Sequence, residues 1–116
     1  MALGSPEWTL QRQTLVDVLG TALTGVFTGV WKRAQGIRPF TVSVEGTFVG
    51  TVIVYGSNSI NKPADNDNTR CILGQAVNGS TPVEINGPWQ WVKVASPGGI
   101  TGSCEAFLHA TQQPSG

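Results

Sequence analysis

Few side chains in this 116-residue sequence are of types that carry out chemistry, and they are widely spaced. The only histidine, His109, falls in the last predicted strand, and a lone histidine is usually a structural residue rather than a general base. No serine lies in a nucleophile-elbow pattern, and no phosphate loop or dinucleotide fingerprint occurs. Cys71, Cys104 and His109 lack metal-site spacing. The sequence therefore predicts no catalytic residue, no cofactor, no metal and no enzyme.

The polar segment 56–69 is the next candidate for a binding element. Residues 65–68 read Asp-Asn-Asp-Asn and place four oxygen-bearing side chains in a row, which a calcium ion can use. The segment lacks the glycine and distal glutamate of a helix-loop-helix calcium site. We therefore favour a solvated surface loop, with a cation site as the alternative. Loops of this length are often binding elements or flexible tips.

Trp89 and Trp91 are two residues apart, on one face of a predicted strand. Two aromatic rings at this spacing can form a platform for a sugar, half of a sandwich core, or an interface anchor. We favour the core for one ring and an interface for the other. Sugar binding, with the loop 56–69 completing the site, is the alternative.

The composition limits the classes of partner. Charged residues make up 12% of the chain, about half the usual share, and seven basic residues balance seven acidic ones. Such a chain has no electrostatic footprint for nucleic acid. The low charge favours a protein that functions inside an assembly over a small soluble monomer with a Ser/Thr/Asn surface. The apolar stretch 15–31 contains Asp17, three glycines and three threonines, which argues against a membrane span.

The N-terminus does not read as a signal peptide, which predicts synthesis in the cytosol. Cys71 and Cys104 are then expected to be free, buried thiols. A disulfide between them is the alternative if the chain ends up outside a cell.

Short apolar runs separated by glycine, proline and asparagine predict an all-β fold. The strongest pattern lies at residues 40–55, where two alternating runs flank Gly46 and Gly50 and predict a β-hairpin. Residues 14–34 predict strands at about 14–19 and 25–33 with a turn near Gly20. A helix is the alternative there, although each glycine would cost it about 1 kcal/mol.

Four further strands are predicted at 70–75, 81–85, 89–95 and 101–110, with tight turns at 78–79, 86–88 and 97–99. The resulting seven or eight strands predict an antiparallel β-sandwich of jelly-roll or Ig-like type. We expect an N-terminal arm at 1–13, the sandwich domain at 14–110 and a flexible tail at 111–116. Runs 49–55 and 89–95 are apolar on both faces, so a neighbouring subunit or the arm is expected to cover their second face.

Residues 38–52 read RPFTVSVEGTFVGTV, and an aromatic strand WQWVKV follows at 89–94 before a glycine-bearing final hairpin. Over residues 37–110 this pattern resembles small β-sandwich structural proteins of tailed bacteriophages. The resemblance implies a capsid decoration (cement) protein, made in the host cytoplasm and located on the capsid surface of the virion. It implies self-association as a homotrimer, the major capsid protein or another virion protein as partner, and an arm that grips the shell. Neither nucleic acid nor a membrane is expected as a partner.

Apolar anchors supply most of the energy of such an interface. The interface candidates are Trp8, Leu10, Phe27, Trp31, Trp89 and Trp91. The alternative function is a receptor- or carbohydrate-binding module of a tail fibre or tail accessory protein.

Overall fold

A computed structural model describes residues 13–34 and 40–112, with side chains described at 17–34 and 40–109. Its strands are β1 (Gln13–Thr28), β2 (Lys32–Arg33), β3 (Phe40–Ser57), β4 (Cys71–Val77), β5 (Thr81–Ile85) and β6 (Trp91–Gln112). Every strand pairing is antiparallel, which confirms the predicted all-β fold. No helix within these ranges is long and apolar enough to cross a membrane.

The two long strands β3 and β6 form the centre of a single sheet with the order β1-β6-β3-β4. They run side by side from the Phe40–Ala110 pair to the Ser57–Trp91 pair. β1 and β2 follow each other along the outer side of β6. β5 and β4 do the same along the outer side of β3. The sheet is therefore four strands wide along its length.

The even-numbered residues of β3 and β6 form the main core, as the alternation of the sequence predicts. Val42 and Val44 from the first half of β3 lie in the same buried cluster as Val52 and Val54 from its second half. Because one face of both halves contributes to one cluster, the sheet curls around its core. The β6 members of that cluster are Val92, Val94, Ile100, Cys104, Ala106 and Leu108.

Glycines allow β3 to bend without ending. Gly46 and Gly50 have φ values of 143° and 125°, and a Cβ at Gly50 would lie 2.7 Å from the Gly99 carbonyl oxygen. The turn after β4 holds the bend: Asn78 Oδ1 accepts from Gly50 N at 2.8 Å, and Ser80 Oγ accepts from Gly46 N at 3.0 Å. The predicted hairpin at 40–55 is therefore wrong, because both of its arms belong to one strand that pairs with β6.

Two other predicted turns also lie inside strands. Residues 97–99 belong to a bulge of β6, where the pairing with β3 shifts between Gly50 and Ile53. β1 continues through Gly20 with a shift of register instead of a turn. Merging these segments gives six strands in the described ranges, where the sequence predicted seven or eight.

The curl brings β4 and β5 against each other, although both pair with β3 and not with one another. Asn78 and Gly79 between them have positive φ values, as expected of a tight turn. Gly74 of β4 lies directly against Val83 of β5, so that a Cβ at position 74 would collide with the Val83 side chain. The absence of a side chain at Gly74 thus sets how closely β4 and β5 approach each other.

We expect Gly74→Val to lower the free energy of unfolding by roughly 1–3 kcal/mol, because overpacking forces neighbours out of their preferred rotamers. Urea unfolding followed by fluorescence measures the change. Gln75→Val is the matched control, because the neighbouring Gln75 side chain is exposed and the same residue is introduced. Equal stabilities of the two variants would contradict the close packing of β4 on β5.

Most of the predicted arm and tail lies outside the described residues. This includes the interface candidates Trp8 and Leu10. Within the described part of the chain, β1 begins at Gln13 and β6 ends at Gln112.

Candidate functional site

One end of the sheet is covered on its outer face by the chain itself. The outer residues of this end include Tyr55 on β3 and Lys93 on β6, which are register partners. The loop of residues 58–70, hereafter the cap loop, and Trp31 lie over them. Trp31 reaches this position because the edge of the sheet is interrupted between β1 and β2. Part of the second apolar face predicted from the sequence, around Tyr55 and Lys93, is therefore covered by this chain's own loop.

Lys93 is the centre of this arrangement and is completely buried. Its Nζ donates to the carbonyl oxygen of Asp65 at 2.7 Å and to Oδ1 of Asn68 at 2.5 Å. Nζ also lies 5.1 Å from the centroid of the Trp31 ring and 5.5 Å from that of Tyr55. Cation–π attraction and two hydrogen bonds thus compensate in part for the loss of water around the ammonium group.

Burial lowers the pKa of Lys93 below its usual value, and the negative charges of Asp67 and Asp65 oppose that shift. A lysine with a lowered pKa has the chemistry of a nucleophile. Here, however, the amine has no accessible surface that a substrate could reach. The geometry therefore gives Lys93 the role of fastening the cap loop to the sheet.

Trp31, an interface candidate from the sequence, is only 2% exposed and packs with Tyr55 and Ala95. Its Nε1 donates to the Ala64 carbonyl oxygen at 2.8 Å, and its backbone N–H donates to Asp65 Oδ1 at 3.1 Å. The latter bond is the main reason that the pKa of Asp65 is lowered. Trp31 thus anchors the cap loop and has almost no ring surface left for a neighbouring subunit.

The other candidates with described side chains are half-buried. Trp91 packs with the Trp31 cluster and donates from Nε1 to the Ser59 carbonyl oxygen at 3.0 Å. Trp89 instead packs against the main core, as does Phe27. Trp89 and Trp91 therefore do not share one face, so the two rings do not form the platform that was one alternative for this spacing. Trp89 and the ends of the cap loop do meet, around a cavity of about 540 Å³.

The acidic run in the cap loop is used for internal contacts. Asp67 accepts hydrogen bonds from the backbone and hydroxyl of Thr69 and pairs with Arg70. The Thr69 hydroxyl bond is the main cause of the lowered pKa of Asp67. Asp65 faces Lys62 at 3.5 Å, in addition to Trp31. Among the described residues, no group of three or more His, Cys, Asp or Glu side chains is arranged to hold a metal ion.

The two cysteines are free, but only one of them is buried. Burial raises the pKa of Cys104, which keeps its thiol protonated and unreactive. Cys71 is exposed at the start of β4, which corrects the expectation that both thiols are buried. His109 is exposed on β6, opposite Thr41.

Sequence reasoning missed Lys93 and Arg70. Lys93 interrupts the otherwise uncharged run WQWVKVA, which was the one available signal that a partner for the charge must lie above this strand. Arg70 had no such signal, because its contact with Asp67 and its place beside Trp89 depend on how the cap loop folds back. No family model, curated protein sequence or solved structure matches this chain.

Proposed function

We propose that this protein is a structural component of a larger protein assembly. The resemblance of residues 37–110 to small structural proteins of tailed bacteriophages favours a capsid decoration protein. The observation that carries the proposal is an unprotected edge strand, β4, flanked by exposed apolar side chains. Decoration of this kind stabilises a shell by mass action, because the added protein binds assembled subunits and not free ones.

The three longer edge strands, β1, β4 and β5, differ in how they are protected against pairing with another chain. β5 contains Pro82 and Glu84, and both residue types block further strand addition. β1 contains Asp17 and four shifts of register, which make its edge irregular. β4 reads CILGQAV, with no proline, no charged residue and a single shift of register. Since native proteins usually protect their edges, β4 supports the proposal of an interface.

Exposed apolar side chains accompany this edge. Ile72 is 57% exposed and Val77 is 52% exposed, while Val49 on the adjacent strand is 65% exposed. Val77 pairs with Thr51, two residues from Val49, and both valines point to the outer face of the sheet. The zero net charge adds no long-range repulsion between copies. The self-association into a homotrimer that we propose would use this edge.

We expect the double substitution Ile72→Lys with Val77→Lys to weaken self-association, or attachment to capsids, by about tenfold or more. Charges on an edge strand oppose the addition of another strand, and both side chains are already more than half exposed, so the sheet stays folded. Size-exclusion chromatography with light scattering measures the oligomer, and cosedimentation with capsids stripped of this protein measures attachment.

Ile60→Lys is the control, because Ile60 is 96% exposed on the cap loop and does not belong to β4. It should leave association unchanged. A wild-type protein that is monomeric and does not sediment with the capsids would refute the proposal. The same conclusion would follow if the double variant associated as strongly as the wild type.

A receptor- or carbohydrate-binding role is the second candidate. The cavity beside Trp89 favours it, because an aromatic wall and polar loop residues meet there. Ligand pockets typically have volumes of about 300–1,000 Å³, and this cavity, at about 540 Å³, falls within that range.

A further inference from the structure

The cavity beside Trp89 lies where the two ends of the cap loop join the sheet. Its lining includes Gly56, Asn58, Ser59, Arg70, Cys71 and Trp89. Arg70 supplies the one charged side chain among the described residues that line it. The cavity therefore combines an arginine side chain, polar groups and an aromatic ring.

Arg70 is held in a defined orientation. Its Nε lies 2.9 Å from Oδ2 of Asp67. The other oxygen of Asp67 accepts the backbone N–H of Thr69 at 2.9 Å and the Thr69 hydroxyl. Because Asp67 engages the Nε side, the two terminal nitrogens of the guanidinium are available to a ligand. Two such N–H donors side by side match the two oxygens of a carboxylate.

Trp89 provides the apolar wall. Two glycines make room for its indole, since a Cβ at Gly56 would lie 3.0 Å from Trp89 Cε3 and a Cβ at Gly87 would lie 2.9 Å from Trp89 Nε1. The ring is half-buried against the main core, which fixes its plane. A pyranose ring has an apolar C–H face that packs well on such a surface. Asn58 fixes its amide by accepting from Gln90 N at 2.9 Å, so its Nδ2 is a donor for a sugar hydroxyl.

The walls of the cavity are fixed before any ligand arrives. Lys93 holds the cap loop at Asp65 and Asn68, and Trp91 holds it at Ser59. A preorganised site loses little conformational entropy on binding, which lowers the free-energy cost of taking up a ligand.

We infer that this cavity binds a sugar that carries a carboxylate, with the carboxylate on Arg70 and the sugar ring on Trp89. The inference rests on the second proposed role, carbohydrate binding, and not on assembly. A neutral sugar lacks the pair of carboxylate oxygens that the two terminal nitrogens of Arg70 can bind, so the expected ligand class is an acidic sugar.

The test is isothermal titration calorimetry of the full-length protein with two pairs of sugars. 3′-Sialyllactose is compared with lactose, and trigalacturonate with its methyl ester, so that each pair differs in the carboxylate charge. At least one acidic sugar should bind about tenfold more tightly than its neutral counterpart. Arg70→Gln should abolish that preference. Arg33→Gln, which removes an arginine that lies over Trp91 and does not line the cavity, should preserve it.

A second measurement keeps the result independent of any loss of fold in the variants. In the wild type, the acidic sugar should shift the indole N–H signal of Trp89 more than that of the buried Trp31. Equal binding of the acidic and neutral sugars would overturn the inference while leaving a carbohydrate-binding role in place. If none of the four sugars bound, both the inference and that role would be refuted. An unchanged preference in Arg70→Gln would also overturn the assignment.

Discussion

Trp31→Ala is expected to lower the free energy of unfolding by about 3–5 kcal/mol, the usual cost of truncating a large buried aromatic side chain. The Trp31 ring is almost fully buried and covers Lys93 and Tyr55. Its loss also leaves Ala64 without the indole hydrogen bond and exposes the ammonium group of Lys93 to a cavity. Urea unfolding at neutral pH, followed by circular dichroism, measures the change.

Trp31→Phe keeps an aromatic ring at the same position. It loses the indole N–H and the smaller, five-membered ring, so we expect a smaller loss than for Trp31→Ala, of about 1–2 kcal/mol. If Trp31 served mainly as a surface anchor for another subunit, Trp31→Ala would leave the stability of the isolated chain nearly unchanged. That outcome would contradict the placement of Trp31 beneath the cap loop.

Lys93→Met is expected to release the cap loop while the sheet stays folded. Methionine preserves the packing against Trp31 and Tyr55 but cannot donate to Asp65 and Asn68. Hydrogen bonds from a charged donor contribute about 1.5–3 kcal/mol each, and burial of the charge offsets part of this, so we expect a net loss of about 1–3 kcal/mol. Compared with the wild type, the variant should show faster hydrogen exchange in residues 58–70 and unchanged exchange in β3 and β6.

The effect of Lys93→Met should depend on pH in a defined direction. Burial lowers the pKa of Lys93 in the folded state, so the unfolded chain binds more protons in the window between that lowered pKa and the ordinary value of 10.5. Stability contributed by Lys93 therefore rises with pH through this window and is lost as the pH falls through the folded-state pKa. The groups that face Lys93 are Asp65, Asp67 and the Tyr55 ring.

Urea unfolding of the wild type and the variant at about pH 7 and about pH 10 tests this direction. Their difference in stability should widen at the higher pH, because groups present in both proteins, such as Cys104, largely cancel. Lys32→Met on the edge strand β2 is the control for removing a lysine charge. A difference that narrows as the pH rises would show that Lys93 is not buried as described.

The alternation of apolar and polar residues in the sequence was sufficient to predict the core residues of β3. Val42, Val44, Val52 and Val54 follow a period of two, and a half-buried strand is the element that places such residues on one face. All four are buried in the main cluster. The turn at residues 78–79 was also predictable, since asparagine followed by glycine readily takes up positive φ values.

The hairpin prediction failed for a physical reason. Gly46 and Gly50 permit both a reversal of the chain and a bend within a strand, and nothing in the segment 40–55 distinguishes the two. The choice is made by β6, which pairs with both halves of β3. At the bend, Ser103 and Cys104 pair with Thr47 and Gly46, which lie 56 and 58 residues earlier in the sequence. The side chains of Asn78 and Ser80 hold the bend. Long-range pairing therefore decided the strand count.

By itself, the sequence determined that the chain is all-β and which residues of its alternating runs face the core. Only the tertiary structure decided that Trp31 and the cap loop bury Lys93, that β4 is an unprotected edge, and that Arg70 and Trp89 share a cavity. Periodicity and composition are properties of neighbouring residues in the chain. Edges, cavities and buried charges depend on contacts between residues far apart in it, which a single sequence does not specify.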